Sequence, residues 1–144
     1  MSEPIQIQCP PCTGPTAWDP ASLLQEAHKV REKAHCIYSN YHVGAALMMD
    51  DGKIVTGCNV ENVSYGLSMC AERNAIAIAL SKGYRRDNFK GIAVSIGPER
   101  QANCCGACRQ VISEISNDDF WVVVLGEKTP APLCVRLPDL LPPL

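Results

Sequence analysis

Two short segments that carry thiols at the start of helical patterns constrain this chain most. The first is Cys70-Ala71-Glu72-Arg73, and the second is Cys104-Cys105-Gly106-Ala107-Cys108-Arg109. Cys105 and Cys108 are three apart, so a helix that begins there aims both at one place. Cys70 opens another apolar stretch. Zinc takes thiolates readily, and a catalytic zinc site uses three protein ligands with a fourth position open for water. Two helix N-termini meeting at one point add partial positive charge, which favours thiolate over thiol. On spacing alone the alternative is a set of inert cysteines buried on two apolar helices.

Three thiolates would leave a divalent ion with net negative charge and weaken it as an activator of water. A compensating cation is therefore expected, and Arg73 and Arg109 both adjoin the thiols. Arg73 is favoured because it starts the helix that also carries Glu72. An arginine donating to a ligand sulfur withdraws charge. Glu72, two residues from Cys70, is placed to take a proton from metal-bound water and pass it to a leaving group. A glutamate present only for the helix dipole is the plainer reading.

Nine cysteines would suggest a disulfide framework in a short secreted chain. Met1-Ser2-Glu3-Pro4 offers neither a basic n-region nor an apolar h-region, and the cysteine count is odd. The 144 residues suffice for one core without staples. Reduced thiols and a cytoplasmic location are expected. A formal net charge of −2 argues against nucleic acid as a partner. No apolar run approaches the roughly 20 residues of a membrane helix.

Residues 1–17 hold four prolines and the pair Cys9 and Cys12, and are expected to form a flexible arm ahead of one domain over 18–144. Asp19-Pro20 reads as an N-cap and first helical position, with Leu23, Ala27, Val30 and Ala34 on one face of a helix over 20–34. His28 is placed on its solvated or flanking surface. A hairpin follows: strand 41–49, the turn Asp50-Asp51-Gly52, and strand 53–58. The small Gly44, Ala45 and Ala46 imply close approach of backbone or ligand. A nearly all-apolar helix over 69–81 ends near Gly83 and is expected inside a layered structure. Then come strand 91–96, helix 105–116, strand 121–125 and a short edge strand at 133–135. This order implies a three-layer α/β/α sandwich around a mixed sheet of about five strands.

The motifs strongly resemble those of the small zinc-dependent cytidine deaminases of pyrimidine salvage. Tyr38-Ser39-Asn40-Tyr41-His42-Val43-Gly44-Ala45-Ala46-Leu47 looks like that family's Y-S-x-F-x-V-G-A-A-L. Gly57-Cys58-Asn59-Val60-Glu61-Asn62 is similar to its G-x-N-[IV]-E-N, Cys70–Arg73 to its C-A-E-R, and Cys105–Gln110 to its C-G-A-C-R-Q. Leu140-Leu141-Pro142 resembles its terminal L-L-P.

The resemblance implies hydrolytic deamination of cytidine and 2′-deoxycytidine to the uridines with release of ammonia. It implies one zinc per subunit, held by Cys70, Cys105 and Cys108, with zinc hydroxide attacking C4 of the pyrimidine. Glu72 would protonate N3 and then relay a proton to the departing amine. Asn59 and Glu61 would hold the ribose 3′-hydroxyl, and Tyr41 would lie beside the base. The family is commonly a homotetramer, and Tyr65 matches a position that reaches a neighbour's pocket.

The chain departs from the pattern in places. Cys104 stands where the family has proline, and on a helix it could pair with Cys108 almost as well as Cys105 does; the family spacing favours Cys105. Ile37 replaces a proline and Tyr41 a phenylalanine. The chain stops at Leu144 without the family's terminal aromatic, which implies weaker substrate binding. Deamination of another aminopyrimidine-like heterocycle or of a nucleotide, and a catalytically lapsed zinc-binding assembly subunit, are the rival readings.

Overall fold

The computed structural model describes residues 15–97, 103–125 and 131–141. The pair Cys9 and Cys12, most of the expected arm, and Pro142 of the terminal motif lie outside the described residues.

Helix α1 spans Pro20–Val30. Asp19 caps it: Ala21 N donates to Oδ1 at 3.1 Å and Ser22 Oγ to Oδ2 at 2.8 Å. The expected extension to residue 34 is a single 3-10 turn, Arg31–Lys33, closed by Ala34 N on Arg31 O. Strands β1 (Gly44–Met49) and β2 (Ile54–Cys58) form the expected hairpin, with Gly52 at a φ of 82° in its turn. The first strand starts three residues later than expected; Tyr41 and Val43, ahead of it, line a cleft.

Helix α2 (Ala71–Ser81) follows, then β3 (Phe89–Ser95), α3 (Gly106–Ile115), β4 (Trp121–Leu125) and β5 (Pro132–Arg136). A four-residue helix, α4 (Leu137–Leu140), closes the described chain; the proline-rich sequence there hid it. The sheet runs β2-β1-β3-β4-β5. Only β3 and β4 are parallel; the other neighbours are antiparallel, so the five-stranded sheet is mixed as expected.

Alternation along the strands divides the core into two. Ala46, Met48, Ala93 and Val123 face α1 and bury Leu23 and Ala27. Leu47, Ile92 and Val122 face the other way, against Ala75, Ile76 and Ile112 of α2 and α3. The result is helix, sheet, helix: three layers. The small residues of the hairpin are explained by backbone, not ligand. A Cβ on Gly44 would stand 1.9 Å from Ala27 O of α1, and one on Gly57 2.5 Å from Ala75 N of α2. Helix α2 is less enclosed than its composition suggests, since Ile78 is 42% exposed. An outer-layer helix has only one side against the sheet. His28 is half-buried and faces Ser95 Oγ at 3.3 Å.

Candidate active site

Cys70 and Cys105 are the N-cap residues of α2 and α3, and Cys108 lies in the first turn of α3. The Cys105 sulfur accepts from Cys108 N at 3.5 Å, which holds the start of α3. Arg109 fastens the same segment from behind: its Nε donates to Cys104 O at 2.9 Å and its Nη1 to Leu140 O at 3.0 Å. Helix α4, invisible in the sequence, is thus part of the support of the cysteine segment.

The sulfurs of Cys70, Cys105 and Cys108 all lie within 4.8 Å of one another. Those of Cys70 and Cys105 are 3.8 Å apart. Ligands about 2.3 Å from a tetrahedral zinc are about 3.8 Å from each other, so this edge has the length that zinc requires. Cys104, the rival for Cys105, lies outside the cluster; it is 3% exposed, packs in the core, and burial pushes its thiol well up.

The electrostatics fit a cation. Burial pushes the Glu72 carboxyl above the usual range, and Glu72 is 4% exposed. Burial and the facing Glu72 carboxylate push the Cys108 thiol far up. Burial alone would also raise Cys105, but hydrogen bonds from the Cys108 backbone and from the neighbouring thiols leave it lowered. Two buried acids around one thiol-lined point are costly to ionise without a positive charge among them. Arg73 supplies part of that charge: its Nη2 donates to Cys70 Sγ at 3.3 Å, and that bond and a second to Cys108 raise its own pKa. Arg109, the other candidate compensator, is spent on backbone carbonyls.

A cleft of about 440 Å³ opens over Cys70 and Cys105, and Glu72, Tyr41, Asn59 and Glu61 also line it. Chain segments separated widely in sequence therefore meet at one cleft. Tyr65 does not join them: it sits on a 3-10 turn, Tyr65–Leu67, and is 83% exposed.

Asn59 and Glu61 are more committed than their motif suggests. Asn59 Oδ1 accepts from Val43 N at 2.9 Å, and its Nδ2 donates to Tyr41 O at 2.8 Å. Glu61 Oε1 accepts from Tyr38 N and Ser39 N, both at 3.1 Å, and Oε2 accepts from Ser39 Oγ. An amide offers two donors and two lone pairs, and a carboxylate about four acceptor sites. Each side chain thus ties down the 38–43 loop and keeps unused capacity. Asn103, Ser68 and Met69 also line the cleft and escaped the sequence reading. Their only signal was adjacency to the two cysteine segments.

The family described as "Cytidine and deoxycytidylate deaminase zinc-binding region" matches residues 18–124. The chain is 48% identical over 110 residues to a cytidine deaminase of Sporosarcina psychrophila, covering 76% of this chain and 79% of that one. It is 48% identical over 104 residues to a cytidine deaminase of Halalkalibacterium halodurans, covering 72% and 77%. A crystal structure of cytidine deaminase from Burkholderia pseudomallei superposes with a TM-score of 0.78 at 45% identity, covering 85% of this chain and 95% of that one.

Proposed function

The chain belongs to the cytidine and deoxycytidylate deaminase family, and from that premise we propose that it deaminates free cytidine and 2′-deoxycytidine by hydrolysis. The observation that carries this reading is Glu72. Its carboxyl is buried, lines the cleft, and stands at the start of the helix whose N-cap thiol belongs to the three-sulfur cluster.

Cys70, Cys105 and Cys108 would hold one zinc ion, which when bound supplies the Lewis acidity that makes water a nucleophile near neutral pH. The rest of the work falls to side chains of this chain. Glu72 takes the proton of the attacking water. It donates that proton to N3 of the ring, which makes C4 electrophilic, and after the hydroxyl has added it takes the proton of the new C4 hydroxyl to the amine, so that the C4–N bond breaks, the 4-carbonyl forms and ammonia leaves. Burial, which raises the Glu72 carboxyl, suits a group that must accept and release the proton in turn. Arg73 tempers the charge of the thiolates. Tyr41 flanks the base, and the unused capacity of Asn59 and Glu61 takes the ribose 3′-hydroxyl. An ionised Glu61 at the sugar's 3′ position disfavours a phosphate there.

The same reading includes a homotetramer in the cytoplasm. Val63, Tyr65 and Leu67 are 76%, 83% and 69% exposed beside the cleft, an apolar patch suited to burial against another copy. Tyr65 would then serve a neighbour's pocket. No helix among the described residues is long and apolar enough to cross a membrane.

A substrate panel tests the proposal. Cytidine and 2′-deoxycytidine should lose their amino group far faster than cytidine 5′-monophosphate, free cytosine or blasticidin. Preference for the nucleotide or for blasticidin would replace this substrate class with another. No turnover of any of them by zinc-loaded protein would favour a lapsed assembly subunit.

A further inference from the structure

Glu61 is fixed at both ends. Its backbone N–H donates to His35 O at 2.7 Å, and His35 N in turn donates to Asn59 O at 2.9 Å. Its carboxylate is gripped by the 38–39 turn. Three of the carboxylate's roughly four acceptor sites are filled: two on Oε1 by the backbone N–H groups of Tyr38 and Ser39, one on Oε2 by the Ser39 hydroxyl.

Ser39 is engaged in the opposite sense. Its hydroxyl proton goes to Glu61, and its oxygen accepts from Tyr41 N at 3.0 Å. The residue between them, Asn40, holds a left-handed φ of 57°, a conformation that asparagine tolerates better than most side chains. One hydroxyl therefore couples the sugar-side carboxylate to the backbone of the residue that flanks the base. The Ser39 bond is also the largest influence holding Glu61 in its ionised form.

We propose that Ser39 is a positioning residue for sugar recognition. It turns the Glu61 carboxylate so that the single unused site on Oε2 faces a nucleoside hydroxyl in the cleft. The inference rests on the nucleoside reading above and deepens it. Without the hydroxyl, Oε1 keeps its two backbone donors, but Oε2 loses the bond that fixes its rotation. The carboxylate then spends part of its time hydrated or turned from the cleft. An interaction made equally in ground and transition states is lost, so KM rises while kcat holds.

The test is steady-state deamination by zinc-loaded wild type, Ser39→Ala, Glu61→Gln and the double variant. The substrates are cytidine and 3′-deoxycytidine. Turnover of cytidine by the wild type establishes the reaction independently of Ser39; its absence would sink the nucleoside reading itself. Given turnover, Ser39→Ala should raise KM for cytidine about tenfold, the worth of a charge-assisted hydrogen bond. The change in kcat should be less than about threefold. KM for 3′-deoxycytidine should move little, and adding Ser39→Ala to Glu61→Gln should change little further. Equal KM rises for both substrates, or an undiminished effect in the Glu61→Gln background, would overturn the proposal. If the alanine variant does not fold, Ser39→Thr, which keeps the hydroxyl, is set against Ser39→Cys. Wild-type-like KM in the first and raised KM in the second supports the role; equal KM values refute it.

Discussion

The guanidinium of Arg73 donates to the sulfur of Cys70 at 3.3 Å, three residues back along the same chain. The contact joins a helix-capping thiol to a cation in the first turn of that helix, with Glu72 between them in sequence. Arg73→Gln removes the charge and, with its shorter side chain, the donor to Cys70 Sγ. Zinc held by the thiolates would then carry their full negative charge and would be a weaker activator of water. We expect kcat to fall about 10–100-fold, the usual effect of losing a hydrogen bond to a metal ligand. Zinc should stay near one per chain, measured by mass spectrometry of the desalted protein beside the rate.

Cys104 and Cys105 are adjacent in sequence and opposite in fate: one is 3% exposed in the core, the other caps α3 and faces Cys70. Cys104→Ser should retain zinc, at a cost in stability of about 1–3 kcal/mol for a hydroxyl in an apolar site. Cys105→Ser should lose zinc and activity together. Zinc content of the two proteins decides, and loss in the Cys104 variant alone would move the ligand by one residue.

Glycines in this chain are not equivalent. At Gly44 a methyl group would meet Ala27 O at 1.9 Å, whereas at Gly66 it would meet nothing within 4 Å. Gly44→Ala should force α1 off the sheet and cost about 3 kcal/mol or more. That corresponds to a thermal midpoint lower by roughly 10 °C in a chain of this size. Gly66→Ala should leave the midpoint unchanged within about 2 °C. Thermal unfolding of both variants, followed by circular dichroism, checks the pair.

The Ser39 hydroxyl above all, then the backbone N–H groups of Ser39 and Tyr38, hold Glu61 below its ordinary value against an opposing rise from burial. A carboxylate lowered in the folded state adds stability above its unfolded value of about 4.3, and that stability is lost as pH falls through the folded value. The stability gap between wild type and Glu61→Gln should therefore be full at pH 7 and close below about pH 4. Urea unfolding at several pH values measures it; a gap constant from pH 7 to pH 3 would contradict the assignment.

The sequence carried the sheet because its strands are short, apolar and punctuated: β4, Trp121–Leu125, falls where the periodicity puts it. It carried the thiols because ligand spacing and helix starts are local patterns. Helix α4 escaped because Pro138 masks a turn whose worth is tertiary: Leu137 and Leu140 are buried, and Leu140 O accepts from Arg109. The commitments of Asn59 and Glu61 escaped for a similar reason. A motif names the residues that meet a substrate, but only the folded loop reveals that the same atoms also hold Tyr38, Ser39, Tyr41 and Val43. Tyr65 has no role legible in one chain, since it does not line the cleft over the cysteines and is 83% exposed.

If Glu72 moves the protons of a deamination at the three-thiol site, its loss must stop turnover without emptying the site. The direct measurement is loss of cytidine absorbance by zinc-loaded wild type and Glu72→Gln, with zinc content and thermal midpoint determined on the same samples. The wild type should turn cytidine over with ammonia released in equal amount, and the Glu72→Gln protein should keep its zinc and fold while kcat drops by about 10³-fold or more. A glutamine variant within about tenfold of wild type, or a fully zinc-loaded wild type that leaves cytidine untouched, would contradict it.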